Sequence, residues 1–196
     1  LRAAGDSFVY KPDSNSENIV TWEDVASLSF SASDDAKKFY ARLSTKHDPI
    51  YAAYEDSADL YFRNFTGAPT ISASSRATLT LYYPWQDEGP DPAACHIYLA
   101  DADGSLRDVT KLFTYIGEDE DGSVVNGWRI RTRTLGCYII TDRALDLTSQ
   151  QEQAVQTQPE TASVPEQASV PPAPEDAAAL PFDINRNTKP IPNTGI

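Results

Sequence analysis

The sequence predicts an all-β protein, an antiparallel β-sandwich, followed by a segment of different character. Three observations carry this reading. Apolar residues recur at every second position rather than every 3.6. The alternating runs are rich in Thr, Tyr, Val and Ile, which suit a half-buried pleated surface. Turn signals separate the runs at short intervals: Asp48-Pro49, Gly67-Ala68-Pro69, Asp103-Gly104 and Asp121-Gly122. Roughly seven to nine short strands at this spacing favour two packed layers.

In chain order, Thr21-Trp22-Glu23-Asp24-Val25 can open a helical turn with Thr21 as its N-cap. Leu28-Ser29-Phe30 starts the first alternating run. Ser33-Asp34-Asp35 can cap a helix through Lys38 to Leu43, but Phe39, Ala41 and Leu43 share one side of a strand, and the strand is preferred. Leu60–Phe65 is rich in aromatics, and Leu79 and Leu81 lie on one face of the run 78–83. Runs at 95–99, 112–116, Val124–Thr132 and 136–141 complete the set. No internal repeat stands out.

Composition changes near Leu147. Residues 148–190 contain Gln150-Gln151-Glu152-Gln153 and Pro171-Pro172-Ala173-Pro174. From Leu147 onward the only aromatic is Phe182, and eight of the 14 prolines lie there. Such a segment cannot bury enough apolar surface to offset its ordering entropy. Its prolines make it a disordered, extended spacer. The expected organisation is a β-sandwich over 1–146, a Pro/Gln/Glu-rich linker over 147–190 and a terminal motif over 191–196.

The net charge of −13 excludes nucleic acid as a partner, because phosphates require Lys and Arg. It also disfavours anionic membrane surfaces. No run of 18 apolar residues offers a membrane span. The two cysteines, Cys95 and Cys137, form no Cys-x-x-Cys motif. Each lies in a strand-like run on a face that can point into the core. A disulfide between them would contribute about 4 kcal/mol on the chain-entropy view; two buried free thiols are the equal alternative.

Enzyme signatures are sparse. There is no Gly-x-Ser-x-Gly elbow. Gly5-Asp6-Ser7 has no matching Asp-x-x-His, since neither His47 nor His96 follows an Asp by three positions. Acidic pairs abound, yet carboxylates placed in turns of a small sandwich offer no deep cleft for glycoside hydrolysis. The expectation is a non-catalytic protein, with a small secreted hydrolase as the weakest alternative.

Two acidic loops are candidates for Ca²⁺, which wants several converging oxygens: Asp101 and Asp103 in Asp101-Ala102-Asp103-Gly104-Ser105, and Glu118-Asp119-Glu120-Asp121-Gly122. In the first, a complete EF-hand loop needs Glu where Leu112 stands, and a hairpin turn explains both loops. No cofactor is otherwise expected. Trp85, Tyr82 and Tyr83, with Tyr51, Tyr54 and Tyr61, can form a sugar-stacking platform; the competing reading is cross-strand packing. Trp85 is the ring most expected at the surface. Lys37 and Lys38 are the candidates for an intramolecular Lys–Asn cross-link, and no pattern singles them out.

The sequence Ile191-Pro192-Asn193-Thr194-Gly195 resembles the sorting signal of Gram-positive surface proteins. In that family a Leu-Pro-x-Thr-Gly pentapeptide is cut by a sortase between Thr and Gly, and the Thr acyl group is joined to an amine. The resemblance implies sortase and cell-wall peptidoglycan as partners and an extracellular, wall-anchored location. It also implies a longer precursor, with a leader upstream and an apolar segment and basic tail beyond Ile196. Membrane contact would come only through that segment.

A second resemblance covers residues 79–142. Two hairpins precede Gly136-Cys137-Tyr138-Ile139-Ile140, which is similar to the final strand, Gly/Ser-x-Tyr-x-Ile, of closing modules in many Gram-positive surface proteins. It implies an immunoglobulin-like sandwich, two hairpins along one sheet edge and Tyr138 on the face opposite Ile139. Together the resemblances imply a surface protein with a binding or scaffolding role towards an extracellular ligand, a glycan or a host protein. A pilus subunit and a carbohydrate-binding adhesin module are the alternatives.

Overall fold

Alternation along the chain becomes twelve strands in the computed structural model, which describes residues 3–86 and 88–148. These are β1 (Val9–Tyr10), β2 (Glu17–Trp22), β3 (Ala26–Ser31), β4 (Phe39–Tyr40), β5 (Leu43–Ser44) and β6 (Leu60–Phe65). They continue with β7 (Ala77–Tyr82), β8 (His96–Ala100), β9 (Leu106–Asp108), β10 (Thr114–Glu118), β11 (Val124–Thr132) and β12 (Cys137–Thr141). The protein is all-β and its sheets are antiparallel. One five-stranded sheet has the order β10-β11-β7-β3-β2, the other β5-β6-β12-β8-β9, and β1 pairs with β4 alone.

The inward residues of both large sheets meet in one core. Leu28, Phe30, Leu79, Leu81 and Trp128 come from the first sheet; Phe65, Ile97, Tyr138 and Ile140 come from the second. The outer face of the first sheet keeps its polar alternates, Ser27, Ser29, Thr78, Arg129 and Arg131, so period two is clean there. The second sheet is covered on both faces. Leu60, Phe62, Tyr98 and Ile139 pack outward against Tyr51 and Tyr54. A strand buried on both faces reads as a continuous apolar run, which accounts for Tyr138-Ile139-Ile140. Tyr138 and Ile139 take opposite faces, as the sequence implies.

Tyr51 and Tyr54 are carried by a 3₁₀ turn, Pro49–Tyr51, and a short helix, Ala52–Glu55. Asp48 caps the turn by accepting from Ile50 N at 3.1 Å, and Pro49 opens it. Asp48-Pro49 therefore starts a helical turn that roofs the second sheet. The preferred strand reading of 39–43 holds: Phe39–Tyr40 and Leu43–Ser44 are strands β4 and β5, with Phe39, Ala41 and Leu43 buried, and the alternative helix does not form. Trp22 fixes this crossing by donating its indole N–H to Ala41 O at 2.9 Å. Thr21 and Trp22 are likewise strand, with the turn confined to the residues after them.

Two polar residues inside the fold were not legible beforehand. Asn18 is buried and bonds through both ends of its amide: Asp13 N and the Tyr10 hydroxyl donate to it, and it donates to Asp13 O and Ser16 O. It fixes the loop before β2. Arg63 lies on the inward face of β6 and donates to the backbone carbonyls of Val25, at 3.2 Å, and Phe62, at 3.0 Å. Burial lowers its pKa to about 10.

The two late hairpins are not on one sheet edge. β8 and β9 belong to the second sheet, β10 and β11 to the first. They do share a turn, Asp-x-Asp-Gly-Ser, at 101–105 and 119–123. In each, the first Asp N donates to the Ser carbonyl, at 2.9 and 2.8 Å, and the Gly N donates back to the first Asp carbonyl, at 3.0 and 2.9 Å. Gly104 and Gly122 sit at φ +85 and +80, the left-handed region that glycine enters freely.

Candidate binding site

Of the aromatic candidates, the structure brings Tyr83 and Trp85 together and separates Tyr82. Tyr83 follows the inward face of β7, whereas Tyr82 faces outward. A row of rings runs Tyr61, Trp85, Tyr83, Trp128, Tyr115, with centroid spacings of 4.8, 5.1, 5.7 and 5.6 Å. The Trp85 N–H donates to Asp59 Oδ2 at 3.0 Å, and the Tyr83 hydroxyl donates to Pro90 O at 2.5 Å. The row seals one end of the core and pins the loop after β7. Trp85 is half-buried rather than free, and Tyr51 and Tyr54 are buried. The six rings do not form one exposed platform.

The cysteines do not pair. Cys137 lies opposite Ala100 in the β12–β8 register, whereas Cys95 lies just before His96, which is opposite Thr141. That places them on the order of 15 Å apart along the sheet, well beyond disulfide reach. They also point to opposite faces: Cys95 joins the core between the sheets, while Cys137 alternates with Tyr138. Both are free thiols. Burial is the first cause that pushes each up, from 9.0 to about 11.

A prediction follows for these thiols. Native chain should show two titratable thiols that react slowly with maleimide until urea is added. A mass short by two hydrogens under non-reducing conditions would count against it. Because the folded thiols ionise later than the unfolded ones, the stability tied to their protonation is complete below about pH 9. It is lost as pH climbs through about 11, so the urea midpoint should fall across that window.

The Ca²⁺ candidates are occupied by their own turn. Arg107 grips Asp101 through Nε at 2.6 Å and Nη2 at 2.9 Å. Asp103 accepts from Ser105 N at 3.0 Å and Ser105 Oγ at 2.7 Å. These contacts hold both carboxyls below the usual range. In the second loop Arg129 likewise grips Asp119, at 2.9 and 2.6 Å. Among the described residues no three His, Cys, Asp or Glu groups converge as a metal cluster. His47 contacts Glu55 at 2.8 Å and His96 contacts Asp108 at 3.1 Å. Lys37 and Lys38 are exposed, away from the buried setting such a cross-link requires.

Sequence reasoning missed a concavity near β12. At the end of the sheets where β12 begins lies an open groove of about 800 Å³. Leu99, Val109, Leu112, Ile130 and Leu135 give it an aliphatic floor, and Asp48, Asp101 and Asp103 line it as well. Ile50, beside Asp48, leans over Gly104, where an added Cβ would sit 2.6 Å from Ile50 Cδ1. Gly136 admits the Leu99 side chain in the same way, at 2.6 Å. The Tyr51 hydroxyl, pushed up to about 12 by burial and then by Cys137 and the nearby Asp residues, stays protonated as a donor. No local sequence pattern announces the groove, because its walls come from five separate segments.

Ile191, Pro192, Asn193, Thr194 and Gly195 lie outside the described residues, as does the 149–190 part of the linker. No protein-family model, curated protein or solved structure matches this chain.

Proposed function

We propose that this chain is a non-catalytic, wall-anchored surface protein of a Gram-positive bacterium, with a binding or scaffolding role. The observation that carries the reading is the pentapeptide Ile191-Pro192-Asn193-Thr194-Gly195. The Pro-rich sequence before it supports the reading, since a stalk holds a head clear of a crowded surface. The head is an immunoglobulin-like sandwich in this reading. Two antiparallel sheets around a shared core are consistent with that architecture, and an anchored binding module needs only a rigid scaffold with an accessible surface.

In the expected chemistry a sortase thiolate attacks the Thr194 carbonyl, the Thr194–Gly195 amide breaks and the Gly195 amine leaves. An incoming amine then displaces the thioester. The test uses the chain extended past Ile196 by an affinity tag, a panel of Gram-positive sortases and hydroxylamine as the amine. Mass spectrometry should find a hydroxamate on Thr194 and the tag released with Gly195. Thr194→Ala should abolish the product. An uncut chain across the panel would overturn the proposal. A ladder of covalent multimers when the chain itself supplies the amine would favour the pilus-subunit form.

A further inference from the structure

We infer that the groove at the start of β12 docks an extended peptide segment that pairs an aliphatic side chain with a Lys or Arg a few residues away. The inference deepens the proposed binding role and rests on it. The aliphatic side chains the groove presents are Leu99, Leu112 and Ile130, with Val109 and Leu135 buried beside them, and Leu112 is 64% exposed within a concavity. A bulky aliphatic side chain is the group that such a floor removes from water.

The carboxylates of the groove select charge. Asp48, Asp101 and Asp103 gather where the capped turn meets the β8–β9 loop, and Arg107 answers only Asp101. Among the described residues Asp48 and Asp103 have no ion-pair partner, on a chain of net charge −13. A cationic side chain is steered to such a site and an acidic one is repelled. Leu112 comes from the turn after β9 and the carboxylates from two other segments lining the same groove. An extended backbone carries both kinds of side chain at once, and the volume suits a few residues of it.

The groove disfavours a glycan. Sugar stacking needs an exposed ring face, and the three aromatic residues along this groove, Tyr51, Phe65 and Tyr138, are all buried. The row from Tyr61 to Tyr115 is built from rings packed on one another and shares no residue with this groove.

The test pans a random library of 12-residue displayed peptides on the full chain. Enriched peptides should carry Leu, Ile or Val together with Lys or Arg. The best of them, synthesised and labelled, should bind at least about 10-fold more weakly to Leu112→Asp and to Asp48→Lys/Asp103→Lys, and should weaken with added salt. All three positions are exposed; the double Lys variant loses the Asp48 cap and the Asp103 turn contacts, so its midpoint should drop, and a single cooperative unfolding transition above the assay temperature will show that each variant folds. No enrichment, enrichment of acidic peptides or equal binding to both variants would overturn the inference. So would glycan-array binding that Leu112→Asp removes. The sortase assay reads Thr194 alone, so failure of anchoring and failure of docking are told apart.

Discussion

Trp22→Ala should destabilise the protein by about 3–5 kcal/mol, the range for deleting a buried large aromatic. Trp22 is 0% exposed, and its ring meets Phe65 edge-on at 5.2 Å across the two sheets. Its N–H is also the donor for Ala41 O, in the segment that crosses from one sheet to the other. The substitution removes an apolar contact, an edge-to-face pair and a buried hydrogen bond together. Small domains hold only about 5–15 kcal/mol in total. The urea midpoint should fall by about 1.5–2.5 M for a slope near 2 kcal/mol/M. Trp22→Phe separates the terms: it keeps most of the ring and orphans one carbonyl, and should cost about 1–3 kcal/mol. A midpoint for Trp22→Ala within 0.5 kcal/mol of the parent, on that scale, would contradict the packing described above.

Gly127→Ala should cost about 3 kcal/mol, at the upper end for overpacking. An added Cβ would sit 2.6 Å from Leu81 O and 3.1 Å from Tyr82 Cα. Both are backbone atoms of β7, a strand paired on both sides, so neither can swing away as a side-chain tip does. Relief requires β11 to lift from β7, which disturbs Trp128 and the aromatic row beside it. Gly117→Ala is the control: its added Cβ meets only Tyr115 Cε1, at 3.9 Å. It should stay within about 0.5 kcal/mol of the parent. Equal effects of the two substitutions, measured by urea unfolding, would remove the steric explanation.

Legibility in the sequence followed the range of the forces involved. Leu28-Ser29-Phe30, Leu79 and Leu81, and 136–141 were readable because alternation is a local pattern that one sheet face imposes directly. Strands β1, β2 and β9 were not read. The first and last are two and three residues long, too short to show a period, and β2 was obscured by the capping signal at Thr21. For Tyr51 and Tyr54 both a platform and packing were open, because their helical turn is only seven residues long with its neighbour and shows no period. What covers them, the outer face of β6, β8 and β12, is assembled from distant segments. The disulfide question had the same character: face alternation gave each cysteine an inward side, but which side is inward differs when a sheet is buried on both.

By itself the sequence determined the all-strand class, the position of the main turns, the change of composition near Leu147 and the presence of the terminal pentapeptide. Each is written in neighbouring residues, where backbone sterics, side-chain alternation and ordering entropy act. Only the tertiary structure decided that Cys95 and Cys137 stay apart, that Trp85 and Tyr83 close the core and that Leu112 opens onto an acidic-walled groove. Those outcomes depend on which strand lies beside which. That order is set by the summed burial of side chains far apart in the chain, a quantity no local window contains.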